Sequence, residues 1–484
     1  MGPRTRHFFS NQSETMTKQQ HTARVGRISP ARAALGFALA TVSGVAVPAM
    51  AQTAAPSWQQ LMQEAYDFAY PLYKLSEYRW IALNTRDART STTLNHFAHS
   101  RASATPDDKW ADAPIVDALY STAWLDLSRG PVWLDTPETH SRYYVLTLID
   151  FYSNTFFYAG HRTTGTHAQR YFVAGPDWHG AVPAGTQLLR APTNDVYVNL
   201  RVLIDGPKDQ AAANAVQDGF RLTPVRRTPA EAATARVQPV PRDASSFVDV
   251  VNQMIAMNPP PERDAAVLAK YRAIGICGAA CSWEALPDSV KARWTATYPS
   301  LEGKFLAAYR SAGRANGWIE YNPPGSKLGS TQMLDYSLRA MALSVGKGML
   351  GVAPAEADYW MTFNDAKGQP LKGTGSYRLH FATGGLPADA FWSVALYAFE
   401  KDGQFLAANP INRYHVGSRT GLKTNPDGSL DIWIQSTPPS EDKRSNWLPA
   451  PADGSRFQLF ARAYEPKAEI LEGRFRMPEV EALP

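Results

Sequence analysis

Cysteine is scarce in this chain, and its scarcity limits the kinds of site that the sequence can hold. The 484 residues contain two cysteines, Cys277 and Cys281, in the stretch GICGAACSW. A zinc site would need further thiols or a nearby histidine pair, and neither lies in this stretch. The small, glycine-containing spacer allows a short loop to close in an oxidising compartment. We therefore expect a disulfide between the two cysteines, with free thiols as the alternative.

An excess of one charge is also missing once the N-terminal segment is set aside. The first 51 residues hold six of the 49 Lys and Arg residues and one of the 44 Asp and Glu residues. The remaining chain therefore carries 43 of each, so the net charge of +5 belongs to the N-terminal segment. Charge gives no reason to expect nucleic acid or an acidic membrane surface as a partner.

The N-terminal segment itself has the layout of an export signal. Arg24, Arg27 and Arg32 form a basic region, a mostly apolar run covers residues 33–46, and the small-residue motif Ala-Met-Ala ends at Ala51. This layout predicts cleavage after Ala51 and a periplasmic or secreted protein, with an uncleaved anchor as the alternative. No later stretch is long and apolar enough for a membrane helix, so we expect no membrane span in the mature chain.

Beyond residue 51, the residue patterns predict a chain that is β-rich, then helical, then β-rich again. Helical periodicity begins after Ser57, and we expect Pro71 to limit that first helix. Aromatic and β-branched segments between residues 123 and 205 predict strands, and similar segments follow from Gly375. Turns containing Gly and Pro separate them, which is typical of a sandwich or barrel.

Familiar cofactor and metal motifs are absent or lie in the wrong context. Gly346, Gly348 and Gly351 have the spacing of a dinucleotide fingerprint, but a helical pattern precedes them and a proline follows, which favours a helix end. His96 and His99 could share a helix face, yet no third ligand stands beside them, which favours loop or surface histidines. No G-x-S-x-G, P-loop, EF-hand or HExxH pattern occurs. The sequence therefore predicts no cofactor and no metal.

Polar side chains do stand among aromatic ones on two predicted strand-rich segments. In DFYSNTFFY, strand alternation would put Asp150, Tyr152 and Asn154 on one face with Phe156 and Tyr158. Aromatic walls with a few fixed polar groups are typical of small-molecule sites. The alternative is that Asp150 ends a strand and Asn154 faces solvent.

The C-terminal half offers a second candidate set. An arginine there could clamp a carboxylate, a histidine could exchange protons near neutral pH, and the tryptophans could stack on a sugar or aromatic ring. The alternative is that the arginine pairs with an acid and the tryptophans seal the sandwich edges. The residues of this set are Trp392, Arg413, Tyr414, His415, Asn446 and Trp447.

The same stretches carry a family resemblance. LYSTAWLDLSRGPVWLDTPETHSRYYVLTLIDFYSNTFFYAGHRTTG resembles the bacterial family called domain of unknown function 1254. FWSVALYAFEKDGQFL, NRYHVGS and SNWLPAPADGSRFQLFARAYEP resemble domain of unknown function 1214. One departure is DAPIVDALYS, where the resemblance leads us to expect a polar Asn-Asn-Asp-Thr-like run and Asp117 is what remains. The resemblance implies a secreted protein with β-sandwich domains flanking helices, and it implies no reaction or catalytic residue.

Together these observations predict an α+β chain, mostly β, with two β-sandwich (jelly-roll-like) domains and a helical connecting region. We expect an exported envelope protein that binds a small or oligomeric ligand, such as a saccharide, in an aromatic-lined cleft. The alternatives are a hydrolytic enzyme that uses Asp150, His380 or His415, and a structural interaction module. The expected boundaries are 1–51 for the signal peptide, 52–245 for the N-terminal β-rich domain, 246–330 for the helical region and 331–484 for the C-terminal β-rich domain.

Overall fold

A computed structural model describes most of the chain after residue 55. The predicted export signal and the glycines of residues 346–351 lie outside the described residues. Residues Pro56–Pro484 form one compact unit, in which both β-rich regions and the helices pack together. The described ranges are 56–86, 90–109, 113–226, 238–239, 242–311, 315–322, 324–345, 352–401 and 403–484.

The first helix, α1 (Trp58–Asn84), begins as the sequence predicts but does not end at Pro71. The Ser57 side chain accepts a hydrogen bond from the Gln60 amide at 3.2 Å and caps the first turn. Pro71 lies inside the helix, so the expected stop at this residue is wrong. Its ring fixes φ near the helical value and removes one donor, and burial of the flanking residues offsets that loss.

Six further helices lie along the described chain, and most of them pack around α1. Their apolar faces meet in a core that includes Phe68, Tyr152, Phe247 and Trp294. The helices between the two β-rich regions confirm the predicted helical connection. They are α2 (Gln210–Gly219), α3 (Ala244–Met257), α4 (Glu262–Lys270), α5 (Asp288–Ser311), α6 (Tyr336–Val345) and α7 (Ala468–Leu471).

The N-terminal β-rich region is a sandwich of two sheets. Sheet 1 has the strand order β1-β2-β8-β4-β5, and sheet 2 has the order β7-β6-β3-β9. Residues such as Leu146, Val198, Leu134 and Val173 alternate along the strands and fill the space between the sheets. The strands are β1 (Ala98–His99), β2 (Ala118–Asp126), β3 (Val132–Thr136), β4 (Tyr144–Asp150), β5 (Thr155–Gly160), β6 (Gln169–Ala174), β7 (Gln187–Arg190), β8 (Asp195–Leu203) and β9 (Arg221–Pro224).

The C-terminal β-rich region is a second sandwich. Sheet 3 has the order β10-β11-β18-β13-β14, with β15 also paired to β13, and sheet 4 has the order β17-β16-β12-β19. Leu396, Leu459, Leu379 and Ile432 belong to the core between them. The strands are β10 (Ile319–Glu320), β11 (Ala357–Thr362), β12 (Tyr377–Phe381), β13 (Ala388–Glu400), β14 (Gly403–Leu406), β15 (His415–Gly417), β16 (Leu430–Gln435), β17 (Trp447–Pro449), β18 (Phe457–Pro466) and β19 (Val480–Ala482).

The predicted fold class is confirmed by this arrangement. Within the described residues, nineteen strands form four sheets, and the sheets pair into two sandwiches with helices between them in the chain. Cys277 and Cys281 are joined as a disulfide, as expected. No helix among the described residues combines the length and the apolar character that a bilayer crossing requires.

Candidate functional site

The outer face of sheet 1 carries a row of polar side chains where a core face would be apolar. Along β8, Val198, Leu200 and Val202 point into the first sandwich, so Asn199 and Arg201 point to the opposite face. Strand pairing sets Arg201 directly opposite Tyr120 of β2. The register therefore builds a polar strip across the middle of the sheet.

Two different layers cover the two ends of this face. At one end, Trp124, Ile149 and Tyr197 pack against the helices. At the other end, Tyr143 and Leu203 pack against sheet 3. The middle of the face therefore lies where the first sandwich, the helices and the second sandwich meet.

Side chains in the middle of this face keep part of their surface accessible. Tyr120, Thr122 and Tyr158 are half-buried, although neighbouring residues of the same strands are fully buried. Side chains in a close-packed interior would lose this surface. We call this part of the junction, which holds Tyr120, Thr122, Tyr158, Asn199 and Arg201, the junction cleft.

Two buried guanidinium groups lie at the junction. Arg201 is 4% exposed, and its guanidinium lies 5.7 Å from the centre of the Tyr120 ring. Arg462 of β18 is 1% exposed and donates from Nη2 to the Ala113 carbonyl at 2.7 Å, while its Nη1 has no hydrogen-bond partner among the residues that the structure describes. Tyr120 and Tyr464 interact electrostatically with both groups. The two arginines therefore share one neighbourhood, with one from each sandwich.

Carboxylates do not balance both of these cations. Asp117 lies near Arg462 and interacts with it, but no described carboxylate lies within 4 Å of the Arg201 guanidinium. Burying a charge without a partner is costly. The junction cleft therefore has an excess of positive charge.

Tyrosines supply the other polar groups of the junction. Burial raises the pKa of Tyr397 to about 12 and raises the pKa values of Tyr143 and Tyr464 well above 10. Their hydroxyls therefore stay protonated at neutral pH and can donate hydrogen bonds. Tyr158 donates to the Gly329 carbonyl at 2.6 Å, which ties β5 to the segment before α6.

Asp117 joins the two sandwiches at the rim of the junction. Its Oδ1 lies 2.9 Å from His415 Nε2, and its Oδ2 accepts a hydrogen bond from the Ser393 hydroxyl at 2.7 Å. Burial alone would raise the pKa of Asp117, but the charge and hydrogen bond of His415, the Ser393 hydroxyl and Arg462 outweigh burial and lower it. The Asp117 carboxylate is therefore held in its charged form.

The order of these three groups decides which chemistry they can support. In a serine hydrolase the histidine lies between the serine and the acid, so that it can take the serine proton. Here Asp117 lies between Ser393 and His415, and Ser393 is fully buried. Serine nucleophilic catalysis is unsupported, whereas His415, with a side chain 23% exposed, could act as an acid or base oriented by Asp117.

The predicted residues Asp150, Tyr152 and Asn154 lie in a turn and not along one strand. β4 ends at Asp150 and β5 begins at Thr155, so the expected alternation through this stretch is wrong. The Asp150 carboxylate accepts from the amides of Tyr152 and Asn154 at 2.9 and 2.8 Å, and Tyr152 donates to the Asn258 carbonyl. All three are buried. These contacts give them a structural role, and their predicted ligand contacts stay predictions.

Most of the C-terminal predicted residues hold the loops around β17. Arg413 donates to the Arg444 and Trp447 carbonyls at 2.7 and 3.1 Å. The Asn446 side chain bonds to both the amide and the carbonyl of Lys423. Trp447 is buried and donates from its indole nitrogen to the Gln435 carbonyl at 2.8 Å. The packing of Trp447 agrees with the alternative that the tryptophans seal the sandwich. Ligand binding by these residues stays a prediction.

The remaining predicted residues fall in three places. Trp392 packs in the core between sheets 3 and 4. Tyr414 packs beside the apolar cluster that contains Tyr143 and Tyr464 and donates to Asn412, while His415 contacts Asp117. His380, named for the hydrolytic alternative, lies 2.7 Å from Asp431 on sheet 4. Of the predicted residues, His415, its neighbour Tyr414 and Tyr158 of the first candidate face are therefore the ones that the structure brings to the junction.

Arg201 and Arg462 were not predicted as site residues from the sequence, although the sequence contains a signal for both. Each occurs inside a strand of apolar residues, in NDVYVNLRVLID and in RFQLFARAY. Arginine is rarely buried without a partner. A charged residue in the middle of an apolar strand is therefore a candidate for a site even when no motif surrounds it.

Comparison with known proteins assigns both β-rich regions to families and gives no activity. Residues 94–224 match the family described as Protein of unknown function (DUF1254). Residues 356–468 match Protein of unknown function (DUF1214). No curated protein matches the chain.

Among solved structures, the chain is similar to the VPA0106 protein from Vibrio parahaemolyticus. The TM-score is 0.67 at 22% identity, and the match covers 88% of this chain and all of that one. An uncharacterised protein from Burkholderia cenocepacia matches with a TM-score of 0.42 at 14% identity, over 89% of this chain and 91% of that one. At these identities the Vibrio structure supports the shared fold alone.

Proposed function

We propose that this chain, which combines the DUF1254 and DUF1214 families of unknown function, is an exported envelope protein that binds an anionic small molecule in the junction cleft. The ligand carries a carboxylate or a similar oxyanion between Arg201 and Arg462. The signal-like segment that ends at Ala51 and the disulfide support export to an oxidising compartment.

The excess positive charge at the junction carries this proposal. Within the described part of the chain, Arg201 has no carboxylate partner and Arg462 Nη1 has no hydrogen-bond partner. An oxyanion would accept the free N–H donors and neutralise charge that the fold otherwise leaves buried. A guanidinium offers two parallel donors, which match the two oxygens of a carboxylate.

The surroundings of the guanidinium groups favour a ligand with an apolar or ring-shaped body. The rings of Tyr120, Tyr359, Tyr397 and Tyr464 lie around the two guanidinium groups, and their hydroxyls supply a few polar tips. Pockets of this composition bind small organic molecules, because the apolar walls bury the body while a few polar groups fix its orientation. An aromatic or cyclic carboxylate is therefore the ligand class that fits best.

A hydrolytic enzyme is the second candidate, and the contact between His415 and Asp117 favours it. A histidine oriented by a buried carboxylate can act as a general base toward water. The His415 side chain is 23% exposed, which gives a substrate access to its ring. Exposed large apolar side chains such as Trp58, Val225, Leu334 and Ile411 lie on separate segments, which gives less support to a structural interaction module.

Thermal-shift screening against carboxylates, sulfonates, phosphates and their neutral analogues would test the proposal. We expect carboxylates with a ring-shaped body to raise the melting temperature and the neutral amides of the same compounds to leave it unchanged. Arg201→Met removes the buried charge with little change of volume. We expect it to abolish the ligand-induced shift and to stabilise the unliganded protein by about 1 kcal/mol or more.

Arg378→Gln is the matched control, because Arg378 pairs with Glu481 on the edge of sheet 4, away from the junction. It should keep the full ligand-induced shift. His415→Gln separates the two candidates, since it should abolish any hydrolysis while leaving binding measurable. Equal stabilisation of the wild type by the acids and their neutral amides would contradict the proposed charge recognition.

A further inference from the structure

A second aromatic surface lies on the outer face of sheet 2, away from the junction. Trp133 of β3 and Phe172 of β6 are directly opposite each other in the strand register. Their neighbours along the strands, such as Leu134 and Val173, fill the sandwich core, so these two rings point outward. Their centroids are 4.8 Å apart, in an edge-to-face arrangement.

Trp178, in the loop after β6, extends this surface into a wall of three rings. Its ring centroid is 5.2 Å from that of Phe172. Arg190 holds the loop, because its Nη1 donates to the carbonyls of Pro176 and Trp178 at 3.0 and 2.8 Å. A Cβ at Gly180 would lie 2.5 Å from the Trp178 ring, so glycine is needed for the ring to fold back over this position. The ring is therefore held in place before any ligand binds.

The wall borders a cleft of about 670 Å³ whose lining also includes two arginines. Arg129 and Arg226 both line the cleft and are exposed. Within the described part of the chain, neither arginine forms an ion pair. Asp177 is the carboxylate among the lining residues. We call this space, lined by Trp133, Phe172, Trp178, Arg129 and Arg226, the aromatic cleft.

We propose that the aromatic cleft binds an acidic oligosaccharide, with a sugar ring stacked on the Trp178 indole and uronate carboxylates paired with Arg129 and Arg226. The Trp133 ring supports this wall from below, because the Arg170 guanidinium lies over it, 4.5 Å from the ring centre. Indole faces pack well against the C–H faces of sugar rings, since both surfaces are flat and apolar. The two arginines supply the charge that distinguishes a uronate from a neutral sugar. The aromatic cleft lies on sheet 2, whereas the junction cleft lies on sheet 1, so the ligand proposed for the aromatic cleft does not depend on the function proposed for the junction cleft.

Single-stranded nucleic acid is the other polymer with stackable rings and negative charge, and the cleft suits it less well. Nucleic-acid binding surfaces follow the backbone with many Lys and Arg residues. This cleft offers two arginines and one opposing carboxylate, Asp177. Two positive charges and one negative charge match the one or two carboxylates of a short uronate oligomer better than they match the many phosphates of a nucleic-acid chain.

Tryptophan fluorescence titration with oligogalacturonate, using the full mature chain, tests the proposal. We expect saturable binding that is about tenfold weaker or more for neutral cello-oligosaccharides of the same length. Trp178→Ala and Arg226→Gln should each weaken binding by about fivefold or more. Trp58→Ala is the matched control, because Trp58 is an exposed indole on α1 that stacks with Arg293 and lies on a different element.

Equal binding of neutral and acidic oligomers would overturn the proposal, and so would a single-stranded oligonucleotide that binds as tightly as oligogalacturonate. Unchanged affinity in Arg226→Gln would also overturn it, and this variant changes an exposed side chain, so misfolding does not obscure the result. Arg201→Met should bind oligogalacturonate like the wild type. Failure of this inference is thus distinguishable from failure of the function proposed for the junction cleft.

Discussion

Asp117 shows how one side chain can join two parts of a chain that lie far apart in sequence. It belongs to the first sandwich, while both of its side-chain partners, Ser393 and His415, belong to the second. It is also the acid that remains where the family resemblance leads us to expect a polar run. Its place at the junction therefore gives this remaining acid a structural role.

The pH dependence of stability should report the state of this carboxylate. The folded protein lowers the pKa of Asp117, so the stabilisation is fully present above the unfolded value near 4 and is lost as the pH falls through the folded value. We expect Asp117→Asn to lower the free energy of unfolding by about 1 to 3 kcal/mol at pH 7. Urea unfolding between pH 2.5 and 7 should show this difference shrinking below about pH 4.

Asp389→Asn is the control for this series, since Asp389 is an exposed residue of β13, the strand that also carries Ser393, and it pairs with Lys467. Its stability should follow the wild type at every pH. A difference between Asp117→Asn and the wild type that stayed constant down to pH 2.5 would show that the carboxylate charge does not contribute.

Single residues also show which parts of the site could be predicted from the sequence and which could not. His415 could be identified because histidine titrates near neutral pH and stands out in NRYHVG. Arg201 and Arg462 lie 261 positions apart, and periodicity carries no information about their proximity. Their shared neighbourhood depends on the packing of two separately folded sheets, which no local pattern encodes.

At the scale of elements, the sequence predicted strand content well and predicted turns less well. The stretch FYSN contains neither Gly nor Pro, so DFYSNTFFY looked like one strand. The structure turns there, with Ser153 at a φ of 62° and the Asp150 carboxylate bonded to two following amides. An Asp side chain that satisfies turn amides can replace glycine as the turn signal.

Trp447 lies in β17, which is an edge strand of sheet 4, and an edge strand tolerates a proline such as Pro449.

The loop closed by the Cys277–Cys281 disulfide leads to a prediction about stability at the scale of elements. The bridge closes a loop with a sequence separation of 4, and so short a loop restricts the unfolded chain by about 2 kcal/mol at most. Asn252 of α3 holds the same loop independently. Its Oδ1 accepts from the Cys277 and Gly278 amides, both at 2.9 Å, and its Nδ2 donates to the Gly275 carbonyl at 2.8 Å.

We therefore expect Asn252→Ala to destabilise the protein more than the double substitution of Cys277 and Cys281 by serine. The asparagine variant leaves three buried or half-buried backbone groups without partners, at about 1 kcal/mol or more for each. Urea unfolding of the two variants beside the wild type would compare their free energies. A larger loss in the double-serine protein would assign the stability of this loop to the covalent bond.

At the scale of the whole molecule, the two sandwiches share one core. Tyr143 of the first sandwich packs edge-on against Phe391 and Tyr464 of the second, with centroids 5.3 and 5.5 Å apart. Its hydroxyl donates to Glu356 at 2.6 Å. The sequence predicted two β-rich regions but left open whether they share a site, because alternation identifies a buried face without identifying what covers it.

This shared core predicts that residues 56–484 unfold in a single cooperative transition. Separating the sandwiches would expose Tyr359, Phe391 and Tyr464, together with the buried guanidinium of Arg462, so neither sandwich should remain folded after the other unfolds. Differential scanning calorimetry should give one peak whose calorimetric and van't Hoff enthalpies agree. A fragment of residues 331–484 should be largely unfolded or aggregated when produced alone, since its junction face would form an exposed apolar patch. Two resolved calorimetric peaks, or a soluble fragment with a cooperative transition of its own, would show instead that the sandwiches fold independently and that the junction assembles afterwards.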